Sequence, residues 1–263
     1  MLSLRWIWPL RLRQSVASRT PFAWVVNAAP STGYRLSLAP TSLRKLVLTD
    51  VAHKQLALSG IYELPLSRMI ARLAKRPGGL LVDVGANAGY FTCLWAALNQ
   101  KNSVAAFEAS PRNQEMLIEN VSHAGFTHRV DIQSLALSNC SGMMSFDLGP
   151  VEQTGWGGLV QSRNETTVDV RCCRLDELYA DDIVIDVLKI DVEGADAWVI
   201  EGAERLLAKQ RIKNLFFERN AMRMEQLGVP IDLPHQILHR FNYQVRTVPG
   251  SDGETDFWAI PRF

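Results

Sequence analysis

Five carboxylates stand at or near the ends of short apolar runs: Asp83 in LVDVGANAGYFT, Glu108 in SVAAFE, Asp191 and Glu193 in VIDVLKIDVEG, and Glu218 in NLFFE. An acid so placed can take a proton from a hydroxyl, face a cationic ligand, accept hydrogen bonds from ribose hydroxyls or ligate a divalent cation. Between the first run and the next apolar stretch, Gly85 and Gly89 bracket Asn87. Glycine there permits unusual backbone angles and removes a Cβ from the path of a ligand. A helix opening near Gly89 adds unpaired amides and partial positive charge. Something polar or anionic is expected against this turn.

These acids act together only if a sheet brings them to one edge. From residue 79 onward, short apolar runs alternate with amphipathic stretches. Strands are expected at GLLVDVG, 103–108, 130–135, 184–192 and 214–218, with helices at 89–99, 111–124, 195–208 and 233–241. YQVRTV and DFWAIP follow each other with no helix between them, as a closing antiparallel pair. MMSFDL and TVDVRC form a weaker pair flanking a glycine-rich loop, GPVEQTGWGG. Two further helices are expected at 41–58 and 63–76. This alternation predicts an α/β, doubly wound, mostly parallel sheet with helices on both faces. Ligands bind such sheets at the carboxyl ends of the strands, where the winding reverses. With 263 residues and 47% hydrophobic content the chain can bury a full core. A formal net charge of +1 excludes a general nucleic-acid binder.

The turn discriminates between ligands. A dinucleotide fingerprint, G-x-G-x-x-G, seats pyrophosphate on the helix terminus. Here Asn87 replaces the middle glycine, no third glycine follows, and an acid at Asp83 would repel phosphate. A ligand with an ammonium group or a sulfonium suits it better. S-adenosylmethionine (SAM) carries both. Glu108, at the tip of the second strand, is placed to accept from both ribose hydroxyls.

DVGANAGYFT, FEASP, LALSNCSG, LKIDVEGAD and FFE, in that order, resemble the FkbM-type SAM-dependent methyltransferases, from about Tyr62 to Glu218. The resemblance implies a Rossmann-like class I methyltransferase fold, with a seven-stranded sheet whose last strand is antiparallel. It also implies methyl transfer, most often to a hydroxyl oxygen of a sugar, polyketide or other small metabolite. By motif position Asp83, Gly85, Asn87 and Gly89 form the SAM turn, Glu108 meets the ribose, and Ala109 and Ser134 lie near the adenine. Residues 1–60 form an N-terminal helical extension or cap, and 61–263 the methyltransferase domain.

Strand alternation puts Lys189, Asp191 and Glu193 on one side if the strand runs that far. Asp191 or Glu193 is the candidate base, since a neutral hydroxyl is a poor nucleophile. Trp156, between glycines of the loop, is a candidate for stacking on the acceptor, and Glu218 for touching it. Asp191, Glu193 and Glu218 have a second use as oxygen ligands for a divalent cation, which is not expected because no spacing fixes a metal loop. His235 and His239 lack the glutamate of an HExxH site. His53 reaches the substrate only if the N-terminal helix covers the site. The four cysteines show no CxxC spacing and read as reduced thiols with core or strand roles in a cytoplasmic protein. The start, MLSLRWIWPLRLRQSVASRT, is rich in arginine and free of acids. It reads as an extension, a segment in peripheral contact with a membrane surface, or an organelle address. N-methylation of an amine or peptide, and a non-catalytic binding module, stay open as alternatives. The expected partner is a small-molecule acceptor, and the sequence sets no oligomeric state.

Overall fold

The computed structural model describes residues 32–76, 79–251 and 255–262. The arginine-rich start therefore lies outside the described residues.

A small ribbon, β1 (Tyr34–Arg35) and β2 (Ser42–Leu43), leads into helices α1 (Val51–Ser59) and α2 (Leu64–Ala74). Strand–helix alternation follows: β3 (Leu80–Val84), α3 (Tyr90–Leu98), β4 (Ser103–Phe107), α4 (Pro111–His123) and β5 (Val130–Gln133). An insertion comes next. It holds β6 (Ala136–Leu137), β7 (Gly142–Asp147), a 3-10 turn at Thr154–Trp156, β8 (Gly158–Leu159), β9 (Thr167–Cys173) and α5 (Leu175–Leu178). The chain then continues through β10 (Val187–Ile190), α6 (Asp196–Glu201), α7 (Glu204–Ala208), β11 (Leu215–Glu218), α8 (Ala221–Gln226), α9 (Leu233–Arg240), β12 (Tyr243–Thr247) and β13 (Asp256–Pro261).

The main sheet has seven strands in the order β12-β13-β11-β10-β3-β4-β5. The five strands from β11 to β5 run parallel, and β13 is antiparallel to both its neighbours. This is the expected doubly wound α/β sheet, with its last strand reversed. The winding changes direction beside β3, so the crevice opens where the β3 and β10 strands end.

Alternation along the strands sorts two cores. Leu81, Val104, Ala106, Val187 and Phe216 face α2, α3 and α4. Val82, Val84, Phe107, Leu188, Ile190 and Phe217 face α6, α7 and α9. The segment before the sheet joins the first core, since Leu36, Leu43 and Leu56 share it. Leu43 is fully buried, and burial of this kind contributes about 1.5–3 kcal/mol per side chain. Insertion strands β6, β9, β7 and β8 form a separate sheet in that order, whose apolar side meets the region of α6 and α8.

Three elements differ from the sequence reading. No helix starts at residue 41. Asn120 Oδ1 accepts from the amides of Arg44 and Lys45 at 2.8 and 2.7 Å, which ties that stretch to α4, and the helix waits for the Asp50 cap. The helix read over 195–208 is two, α6 and α7. Gly202 lies between them against the Ser138 carbonyl, where a Cβ would stand 2.1 Å from the oxygen. Strand β10 stops at Ile190, short of Asp191, and Glu193 takes a left-handed conformation with φ of 52°.

Candidate active site

A cavity of about 280 Å³ opens at the carboxyl ends of β3, β4 and β10. Its floor is the β3–α3 turn. Gly85, Asn87 and Gly89 all have positive φ, 74°, 48° and 82°. Both glycines are required by the protein itself. A Cβ on Gly85 would lie 2.0 Å from the Asp191 carbonyl oxygen, and one on Gly89 would lie 2.7 Å from Leu117 Cδ1. The turn's amides are also engaged. Gly85 and Ala86 donate to the Phe107 carbonyl, and Gly89 donates to that of Ala86. Gly85, Ala86, Asn87 and Ala88 line the cavity, whereas Gly89 packs behind them.

Glu108 sits at the tip of β4, buried and lining the cavity. Its Oε2 accepts from the Asn87 amide at 2.7 Å and its Oε1 from the Ser110 amide at 2.9 Å. Burial pushes its carboxyl up to about 7, while the Ser110 and Asn87 amides pull the other way. Each oxygen keeps a lone pair for a ligand hydroxyl. Ala109, Leu135, Ala136 and Leu137 form an apolar wall beside it.

Three more of the expected residues do not line the cavity. Asp83 is fully buried and is not a lining residue. Its Oδ2 accepts from Thr92 Oγ1 at 2.7 Å and its Oδ1 faces Lys189 Nζ at 3.6 Å, because alternation on β3 turns it under α3. Ser134 is exposed, and the apolar wall begins one residue later at Leu135, since β5 has ended at Gln133. Trp156 is 55% exposed. The 3-10 turn puts Thr154 and Gly155 on the inside, and the Trp156 carbonyl accepts from Arg223.

Opposite Glu108 the cavity is lined by Glu63, Asp191, Glu193 and Glu218, with Lys189 among them. Asp191 Oδ2 accepts from Lys189 Nζ at 3.1 Å, and Glu193 Oε2 accepts from Asn220 Nδ2 at 3.0 Å. Burial, then the charge of Asp191, raises Glu63 to about 8, Glu193 to about 7 and Glu218 to about 9. Lys189 counters this at Glu63, and Arg223 and Asn220 counter it at Glu193. Asp196, behind Glu218, is raised to about 7 by burial and Asp191, although it accepts from the Glu218 amide at 3.0 Å. Burial disfavours the charge on Lys189, yet Asp191, Asp83 and Glu63 outweigh it and hold the ammonium above its ordinary range. Among the described residues no three His, Cys, Asp or Glu side chains form a group that could hold a metal ion.

The sequence reading missed Glu63, Thr154 and Asp50. Asp50 caps α1 by accepting from the His53 amide at 3.0 Å, and its other oxygen accepts from the Thr154 amide at 2.7 Å. Asn113 Nδ2 donates to the Thr154 carbonyl at 2.9 Å. Thus α1 covers the cavity, the loop is tied to it, and His53 lines the interior. Burial lowers the His53 imidazole, against the pull of Asp50. A polar threonine in a glycine-rich loop was the available signal. His235, by contrast, packs edge-on to Phe217 and Phe257, at 5.6 and 4.7 Å between centroids. Cys140 is exposed and outside any strand, against the core or strand role expected for it.

Five carboxyl side chains and one lysine line this cavity, a donor set that fits a ligand bearing cationic groups. The apolar wall fits a flat ring. Both features match SAM and neither suits a pyrophosphate.

Comparison with known proteins adds a family. A model of the methyltransferase FkbM domain matches residues 83–245. The 2-O-methyltransferase NoeI of Sinorhizobium fredii (strain NBRC 101917 / NGR234) is 24% identical over 208 residues, covering 73% of this chain and 84% of that protein. Among solved structures, the O-methyltransferase from Bacillus cereus in complex with SAH aligns at 12% identity and a TM-score of 0.45, over 97% of this chain and 100% of that one. A SAM-dependent O-methyltransferase from Thermotoga maritima gives 12% identity and a TM-score of 0.45, over 77% of this chain and 66% of that one.

Proposed function

The chain belongs to the FkbM methyltransferase family, and from that premise we propose that it is a SAM-dependent methyltransferase acting on a hydroxyl oxygen of a small molecule. The observation that carries this reading is the acid-rich, partly apolar cavity at the strand tips. The 2-O-methyltransferase named in the comparison supports oxygen as the receiving atom.

When bound, SAM supplies a methyl group activated by its positive sulfur. The residues that would hold it are the turn from Gly85 to Ala88, Glu108 at the ribose hydroxyls, and Ala109, Leu135 and Leu137 beside the adenine. Asp83 supports the turn from below through Thr92. Glu193 is the better placed of the two candidate bases. Each keeps one oxygen free, but Asp191 is paired with the Lys189 ammonium, whereas Glu193 is bonded to the neutral Asn220 amide and sits near 7, where a base works best at neutral pH. It would take the hydroxyl proton as the oxygen becomes nucleophilic. Glu218 would accept a hydrogen bond from, or donate one to, the same acceptor. Helix α1 and the Thr154 loop exclude water above the site. Holding the acceptor oxygen in line supplies about 7–11 kcal/mol in favourable cases.

Incubation with methyl-labelled SAM and a panel of sugars, polyphenols and amines tests this. Label on an oxygen supports the reading. Label on a nitrogen transfers the assignment to amine methylation, for which the acidic cavity is also suited. No transfer to any acceptor, with SAM bound, favours a non-catalytic module.

A further inference from the structure

Lys189 is 2% exposed and lies on the α3 side of β10, in register with Asp83 of β3. Its ammonium donates two hydrogen bonds and pairs with a further carboxylate, each from a different part of the site. Asp191 Oδ2 is at 3.1 Å, the Gly85 carbonyl at 3.3 Å and Asp83 Oδ1 at 3.6 Å. Phe91 of α3 closes the remaining side, with its ring centroid 5.3 Å away. Asp83 Oδ1 is buried and has no hydrogen-bond partner among the described residues, so the Lys189 ammonium compensates its charge. The same ammonium therefore touches the turn at Gly85, the acid beneath it, and the acid on the acceptor side.

We propose that Lys189 is a positioning residue that fixes the spacing between the Gly85 turn and Asp191, and that its ammonium offsets the crowding of acidic side chains there when a cationic donor enters. The proposal rests on SAM being the donor. The groups facing Lys189 are Asp83 from β3, Glu63 ahead of α2, Asp191 at the end of its own strand and, across the cavity, Glu108 at the tip of β4. Glu193, Asp196 and Glu218 surround Asp191, and Tyr62 adjoins Glu63. Removing one buried cation from this set makes every carboxylate harder to ionise. A sulfonium then meets fewer negative charges at neutral pH, and the turn loses its tie to β10. Arginine keeps the charge, but its planar fork cannot direct three donors from one nitrogen.

The test is calorimetric titration of the full chain with SAM over a range of pH, for the wild type, Lys189→Met and Lys189→Arg, with folding checked by circular dichroism. Lys189→Met is expected to weaken binding about tenfold or more near neutrality and to move the acid limb of binding upward by about one pH unit or more. Lys189→Arg is expected to restore the limb while remaining about fivefold weaker. A folded Lys189→Met with the wild-type pH profile and affinity overturns the role of Lys189 alone. If Lys189→Met does not fold, Lys189→Arg decides: a weakened affinity on an unmoved limb supports the role, and wild-type affinity overturns it. A wild-type chain that does not bind SAM overturns the donor assignment and, with it, this role.

Discussion

On the donor side of the cavity each oxygen of Glu108 meets a backbone amide, from Asn87 and Ser110. On the acceptor side burial raises Glu63, Glu193 and Glu218 as it raises Glu108, but the next influence there is the charge of Asp191 and not a pair of backbone amides. The first region is fixed by main chain and is local in sequence. The second is assembled from segments far apart, and its charge depends on which ligand is present. A rigid donor seat beside an adjustable acid cluster suits an enzyme that holds one constant cofactor and a separate acceptor.

The sharpest way to break this contrast is at the turn. Gly85→Ala places a Cβ against the Asp191 carbonyl at a residue with φ of 74°. Strain and overlap together are expected to cost about 3 kcal/mol or more, read as a lowered Tm and lost SAM binding. An unchanged Tm would mean that the turn is less tightly seated than described. Next in size is Glu193→Gln on the acceptor side. It is expected to lower kcat by about 10²–10⁴ while SAM binding, measured by calorimetry, stays within about threefold. A large loss of SAM affinity would merge the two halves. Glu108→Gln should do the reverse. Its amide offers only one acceptor to two donating amides, so SAM binding is expected to weaken about 10–100-fold.

The smallest effect concerns pH. Glu63 and Glu218 sit near 8 and 9 in the folded chain, above the ordinary glutamate range. The folded state therefore holds more protons than the unfolded state between the ordinary range and those values. Stability falls as pH rises through that window. The ligand-free chain is expected to have a lower Tm at about pH 8 than at about pH 6, and SAM should narrow the difference. A Tm that rises over the same interval would contradict the acid cluster.

Those two regions were unequally legible in the sequence. The main-sheet strands from Leu80 to Glu218 and the helices α3 and α4 are readable because apolar runs and glycine turns are local signals, whereas β6, β8, α5 and the break at Gly202 are not. Gly85 and Asn87 come from one short motif and Glu108 and Ala109 from a second, and their cavity positions follow from where β3 and β4 end. Asp83 was assigned to the crevice because spacing gives proximity, whereas pleating decides which face a side chain takes. Trp156 lies outside the cavity lining for a similar reason. A 3-10 turn rotates each successive side chain by a third of a turn, and no periodicity in a glycine-rich loop reports which one faces inward. Glu63 and Asp50 were invisible as site residues, since nothing local in VLTDVAH or IYELP says that α1 and α2 close over a distant strand end. Lys189 was read as sharing a side with Asp191, but its tie to Asp83 exists only once β10 pairs with β3.

The central claim is that the cavity takes a cationic sulfur compound at a glycine turn. Titrating the wild-type chain with SAM, and in parallel with NAD, tests it most directly. Saturable one-to-one binding of SAM is expected, with a Kd in the range of about 1 μM–1 mM, weakened by Glu108→Gln and absent for NAD. Silence toward SAM at about 1 mM, or binding of NAD in its place, would contradict it.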